Sequence, residues 1–138
     1  MSDTSAPEVT RTVELDATVD EVWTALTDDA ERAAWFGGDG KVDIRPGGVG
    51  EISAPDGSIQ RVEVDTVEPG RRLGWRWSPK SGGAVSDVEF VVESLPRGAR
   101  LTVTERRVAS TGPQASAAPA ITDALLNLEL LFLARSRV

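Results

Sequence analysis

The chain has 138 residues and a formal net charge of −7, and it contains no cysteine, histidine or tyrosine. That length fits one domain able to bury a single core without staples. The missing residue types exclude disulfides, thiolate nucleophiles and phenol chemistry, and they remove the commonest metal ligand and the commonest acid–base group at neutral pH, so neither a metal nor a cofactor is expected. An acidic surface repels phosphate backbones and anionic headgroups, so neither nucleic acid nor a membrane is an expected partner.

Residues 1–8 read as a frayed tail, and residues 9–138 as the domain. The start is small and polar with no apolar run, so no signal peptide is expected and the cytoplasm is the default address. Val9, Val13 and Leu15 recur in steps of two around a polar Arg11, the pattern of a half-buried strand. Thr18-Val19-Asp20-Glu21 fits a capping box, followed by a helix that turns Val22, Trp23 and Leu26 toward one side. Asp28 to Glu31 repeats the signal, and a second short helix is expected to about Trp35, stopped by Gly37-Gly38.

Short strands punctuated by turns come next. Strands are expected over 41–45, 50–54, 58–67, 72–77, 85–95 and 100–108, separated by clusters such as Pro46-Gly47-Gly48, Pro55-Asp56-Gly57 and Pro96-Arg97-Gly98. Regular turns between alternating strands predict an antiparallel meander. The Gly-rich turn after Arg45 needs no phosphate, because no helix follows to supply a dipole. After a Ser/Pro/Ala-rich loop, Ser116 or Ala118 is expected to cap a last helix with Pro119 in its first turn. Ile121, Leu125, Leu128 and Phe132 then fall at helical spacing, and Leu126, Leu130 and Leu133 widen the apolar face. A face that wide is buried between layers or has a partner, and Leu126, Leu130, Leu131 and Leu133 could pair with a second copy as a homodimer.

The fold class expected is therefore α+β: a curved antiparallel sheet of six or seven strands around a long C-terminal helix, with two short helices after the first strand. Residues 17–36, ATVDEVWTALTDDAERAAWF, resemble the opening of the START-like, helix-grip superfamily, in the branch of activator of heat-shock-protein ATPase homologues. Arg45-Pro46-Gly47-Gly48, Asp56-Gly57, Val67-Glu68-Pro69, Arg72-Leu73, Trp75-Arg76-Trp77 and the run from Gly98 to Glu105 match the same branch. The resemblance covers nearly the whole chain and implies the fold. For activity it implies little, because this superfamily hosts carriers, cyclases, hydroxylase subunits and co-chaperones.

On the strand 72–77, Leu73, Trp75 and Trp77 share one face, and period-two counting gives it Val62, Val64, Val88, Phe90, Val92, Leu101 and Val103 as neighbours. The plain reading of each is core packing. In a helix-grip fold the same face can be a cavity wall suited to a flat apolar guest, with Trp35, Val64, Trp75, Trp77, Phe90, Val103, Glu105, Leu125 and Phe132 as candidate lining. Glu105 keeps the parity of Leu101 and Val103, so a regular strand turns its carboxylate inward; a strand already ended leaves it solvated at the rim, the outcome slightly favoured. Asp123, Asn127 and Glu129 read as the polar edge of the last helix. Trp35-Phe36 reads as a plug at the sheet end, with a hinged lid as the sharper alternative.

Three functions follow from the residues and the resemblance. The first is a binding or carrier module for a small hydrophobic molecule, lipid or polyketide-like. The second is a cyclase or dehydratase, ranked lower because without His, Tyr or Cys only glutamates, arginines and hydroxyls could move protons. The third is a co-chaperone-like or stress-response protein, suggested by the family name alone, with no basic docking patch to support it.

Overall fold

The computed structural model describes residues 8–36, 38–54, 57–110, 127–130 and 132. Within them the order is β1 (Glu8–Leu15), α1 (Val19–Thr27), α2 (Asp29–Phe36), β2 (Gly40–Val42), β3 (Val49–Ser53), β4 (Ile59–Glu68), β5 (Arg72–Pro79), β6 (Ala84–Leu95) and β7 (Gly98–Ser110). The strands make one curved antiparallel sheet of seven, ordered β1-β7-β6-β5-β4-β3-β2. The meander expected from the turn spacing runs from β2 to β7. β1 closes the far edge against β7, with Val9 opposite Glu105 and Val13 opposite Leu101.

The predicted capping box forms. Glu21 N donates to Thr18 Oγ1 at 3.1 Å, and Thr18 N donates to Glu21 Oε1 at 2.8 Å. Val22, Ala25 and Leu26 are buried, and α1 packs against β6 and β7. The end of α1 explains the shape of the corner that follows. The last carbonyls of a helix have no partner one turn on. Here Thr24 O accepts from Asp28 N at 2.9 Å, Ala25 O from Trp35 Nε1 at 2.8 Å and Leu26 O from Arg32 at 3.4 Å. Side chains of α2 therefore finish α1, and α2 is itself started by Asp28, whose Oδ2 accepts from Glu31 N at 2.9 Å. Trp35 and Phe36 are buried in this corner. Of the Gly37-Gly38 pair expected to stop α2, Gly37 lies outside the described residues.

β2 ends at Val42, short of the expected Arg45. The chain turns at once: Arg45 N donates to Asp43 O at 2.9 Å, Gly48 N donates to Arg45 O at 2.8 Å, and the two side chains pair at 2.7 Å. Gly47 sits at φ 83°, a conformation that glycine adopts without a Cβ penalty. Gly47 N and Gly48 O then bond the backbone of Val64, each at 2.8 Å, so this turn is docked on β4.

A bulge in β4 keeps one face apolar along its length. Val64 lies opposite Trp75 but Thr66 lies opposite Gly74, so Asp65 is the extra residue and the inward parity passes from Val64 to Val67. A Cβ at Gly74 would stand 2.9 Å from Asp65 Oδ1, so a larger residue there would push the exposed Asp65 side chain aside. The opposite face of the sheet is solvated and carries ion pairs, among them Arg76 with Asp87 at 2.8 Å and Arg72 with Glu89 at 3.3 Å. The hydrogen bond that Arg76 donates to Asp87, and next the negative charge of Asp87, raise the pKa of Arg76. Such exposed pairs fix register more than they stabilise.

Residues 127–130 and 132 are helical. Leu128 and Phe132 are buried in the same hydrophobic cluster as the sheet residues, whereas Asn127 and Glu129 are exposed, as the expected polar edge requires. The rest of the expected long C-terminal helix, with its expected cap at Ser116 or Ala118 and with Asp123, Leu125, Leu126, Leu131 and Leu133, lies outside the described residues. Among the described residues no helix is long and apolar enough to cross a membrane.

Candidate functional site

The inward face of β4–β7 carries three large aromatic side chains, Trp75, Trp77 and Phe90. β5 supplies Trp75 and Trp77 two residues apart, hence on one face. Across the strands, Val64, Trp75, Val88 and Glu105 form one row, and Val67, Leu73, Phe90 and Val103 form the next. Leu73, Trp75, Phe90 and Val103 are each no more than 1% exposed.

The rings touch in sequence. Trp75 meets the Phe90 ring edge-on at 5.0 Å between centroids and Trp77 at 5.7 Å. Trp77 continues to Phe36 at 5.9 Å, and Phe36 to Trp35 at 6.0 Å. A chain of five rings thus runs from the middle of the sheet to the α2 corner. Aromatic pairs at these distances each contribute about 0.5–1.5 kcal/mol beyond the area they bury.

Two polar features interrupt this apolar wall. β7 does not end before Glu105 but continues to Ser110, so the rim position slightly favoured from sequence is overturned. The parity reading holds instead, and Glu105 is 5% exposed. Its Oε2 accepts from Trp77 Nε1 at 2.9 Å, a bond that spans β6 and joins β5 to β7 over the inner face. A charged acceptor strengthens such a bond, and burial raises the cost of removing either partner. The second feature is Trp75, whose Nε1 is buried and has no hydrogen-bond acceptor among the described residues. Sequence parity could find both side chains, but not the bond of one and the vacant donor of the other, which depend on rotamers.

Of the nine candidate lining residues, the structure brings Val64, Trp75, Trp77, Phe90, Val103, Glu105, Trp35 and Phe132 into the buried set. Trp35 belongs to the corner, where its N–H is committed to Ala25 O. Leu125 lies outside the described residues. Arg32, which sequence reasoning passed over, is as buried as the tryptophans, with Asp29 as its ion-pair partner. Nothing in its i, i+3 spacing distinguishes this pair from a solvated one.

Other concavities lie at the surface. One of about 700 Å³ borders the start of α1, lined in part by Asp16, Asp20, Glu21 and Arg97. Its acidic side chains offset the positive end of the helix, so it offers little to an anion. Another of about 750 Å³ runs between α2 and β2–β3 past Ala30, Ala33 and Lys41. Neither reaches the aromatic wall. Among the described residues no cluster of three or more Asp or Glu could hold a metal ion.

A family model for activator of Hsp90 ATPase homolog 1-like proteins matches residues 16–132. The chain belongs to this family. Solved structures share the fold of this family member. Protein MLL2253 from Mesorhizobium loti superposes with a TM-score of 0.75 at 22% identity, covering 94% of this chain and 98% of that one. CalU16 from Micromonospora echinospora gives a TM-score of 0.64 at 27% identity, over 94% of this chain and 75% of that one. DynU16, from the dynemicin biosynthetic locus, gives 0.67 at 31% identity over 93% of this chain, which spans only 45% of DynU16. No curated protein matches the chain.

The Trp77–Glu105 bond can be measured apart from any ligand. A double-mutant cycle of Trp77→Phe and Glu105→Ala in urea unfolding is expected to give a coupling of about 1–2 kcal/mol. Additive single effects would mean that the two side chains do not bond in solution.

Proposed function

We propose that the protein is a binding module for a small hydrophobic molecule, held against the inner wall of the sheet where Trp75, Trp77 and Phe90 present their rings. The observation that carries this reading is the buried Trp77–Glu105 hydrogen bond set into that wall. A core built only for stability gains most from well-packed apolar side chains, and a buried carboxylate is a costly substitute. Its presence amid five connected rings is what a site that orients a guest requires: broad apolar area for affinity and a few fixed polar groups for direction. Family membership supports a ligand-binding or cyclase-type role. DynU16, from a biosynthetic locus, is consistent with a small organic guest.

The inward position of Glu105 also favours a second reading, a cyclase or dehydratase acting on such a guest. A carboxylate shielded from water is the right kind of group for moving a proton. It would work almost alone, because the chain holds no histidine, cysteine or tyrosine. One such group suits binding and orientation better than a reaction that must both take and return protons, so binding is the reading we adopt.

Thermal unfolding in the presence of flat ring systems and long-chain fatty acids tests it. At a ligand concentration one hundred times Kd the stability gain is about 2.7 kcal/mol, which raises Tm by several degrees in a domain of this size. A panel in which no compound raises Tm and native mass spectra show only the free chain would contradict the proposal.

A further inference from the structure

The two edges of the sheet are β1 and β2, and an edge strand turns every second residue's backbone groups away from any neighbouring strand. For β2 the register identifies those residues. Asp43 N donates to Val49 O at 3.2 Å and Ser53 N to Asp39 O at 2.7 Å, so by antiparallel alternation residues 39, 41 and 43 bond β3. Gly40 and Val42 therefore turn their N–H and C=O groups away from β3. An added antiparallel strand would donate to Gly40 O and accept from Val42 N. α2 does both with side chains: Arg32 Nη2 donates to Gly40 O at 3.4 Å, and Val42 N donates to Asp29 Oδ1 at 3.2 Å. The same Nη2 and Oδ1 also pair with each other, so the two side chains form one unit along the edge. β2 is short and its charged side chain, Lys41, is exposed, but neither feature bonds these backbone groups.

We infer that the Asp29–Arg32 pair stands in for the next strand of the sheet, and that it keeps β2 from pairing with β2 of a second copy. A carboxylate offers only acceptors and a guanidinium only donors, so side by side they match the N–H of Val42 and the C=O of Gly40. Arg32 is buried, which holds the unit in place. Without the carboxylate, Val42 N loses its acceptor and Arg32 its counter-charge. Both side chains belong to α2, so cutting the contact also frees the start of the helix to move off the edge. An identical chain then supplies the missing strand. Two β2 edges meeting antiparallel about a two-fold axis are self-complementary, each offering the donor and acceptor that the other lacks. The inference is independent of any guest on the wall.

The test is sedimentation of Asp29→Ala against the unaltered chain and against Trp77→Phe, a destabilised control whose lesion lies on β5. Asp29→Ala is expected to self-associate at least about tenfold more tightly than either, because each copy brings a backbone donor that has lost its acceptor. Its Val42 amide is expected to exchange hydrogen quickly in dilute solution and slowly once associated. Because that variant could fail to fold, a second readout uses the unaltered protein. There the Val42 amide, although on an edge strand, is expected to exchange at least about tenfold more slowly than an unstructured amide. Association of Asp29→Ala no stronger than that of Trp77→Phe would overturn the inference. So would association that leaves the Val42 amide unprotected, which would place the contact elsewhere. A Val42 amide that exchanges in the unaltered protein as fast as an unstructured one would overturn it as well.

Discussion

Trp77→Ala is expected to cost about 4–5 kcal/mol in urea or thermal unfolding, near the top of the range for emptying a fully buried aromatic site. The site earns that size twice. The ring is buried between Trp75 and Phe36, so its loss opens a void that two rigid neighbours cannot collapse to fill. Its N–H also bonds Glu105, so truncation removes a partner from a buried carboxylate. The two contributions separate experimentally. Trp77→Phe retains a ring in the wall and loses the bond, and should cost about 1.5–3 kcal/mol. If Trp77→Phe were neutral while Trp77→Ala remained severe, the ring would matter and the hydrogen bond would not.

Asp29→Ala is expected to cost about 3 kcal/mol and to lower Tm by about 10 °C, although the aspartate itself is a half-exposed surface residue. The reason is its partner. Arg32 is 2% exposed, and among the described residues its guanidinium reaches, besides Asp29, two backbone carbonyls, Leu26 O and Gly40 O, each at 3.4 Å. Removing the carboxylate strands a buried positive charge. It also removes the acceptor of Val42 N, which bonds Asp29 Oδ1 at 3.2 Å and ties β2 to α2. Solvent beside Asp29 screens part of the attraction, which holds the estimate to the lower end of the range for broken buried pairs. Arg32→Met, which removes the charge and keeps the volume, should cost less than Asp29→Ala. The reverse order would show that the arginine stem, not its charge balance, holds the corner.

Much of the architecture was legible because it is written at short range. The capping box at Thr18, the turn glycines and the alternation in β4–β7 are local patterns, and they fixed the elements to within a few residues. Parity along β7 was also enough to aim Glu105 inward once the strand continued. What stayed hidden depends on contacts distant in sequence. Nothing in residues 8–15 says that they pair with 99–106 and not with a nearer strand. Nothing in α2 marks Arg32 as buried, since that follows from Gly40 and Leu26 closing over it. The bulge at Asp65 shifts which of two adjacent side chains faces inward, and period-two counting carried past Val64 would have chosen Thr66 over Val67.

The account depends on a guest lying on the concave wall, and nuclear Overhauser contacts between the flat ring compound fluorenone and the protein locate it directly. Cross-peaks are predicted from the ring protons to the methyl groups of Val64 and Val103 and to the indole of Trp75. Cross-peaks confined to the groove beside Ala30 and Ala33, with none to the wall, would contradict it.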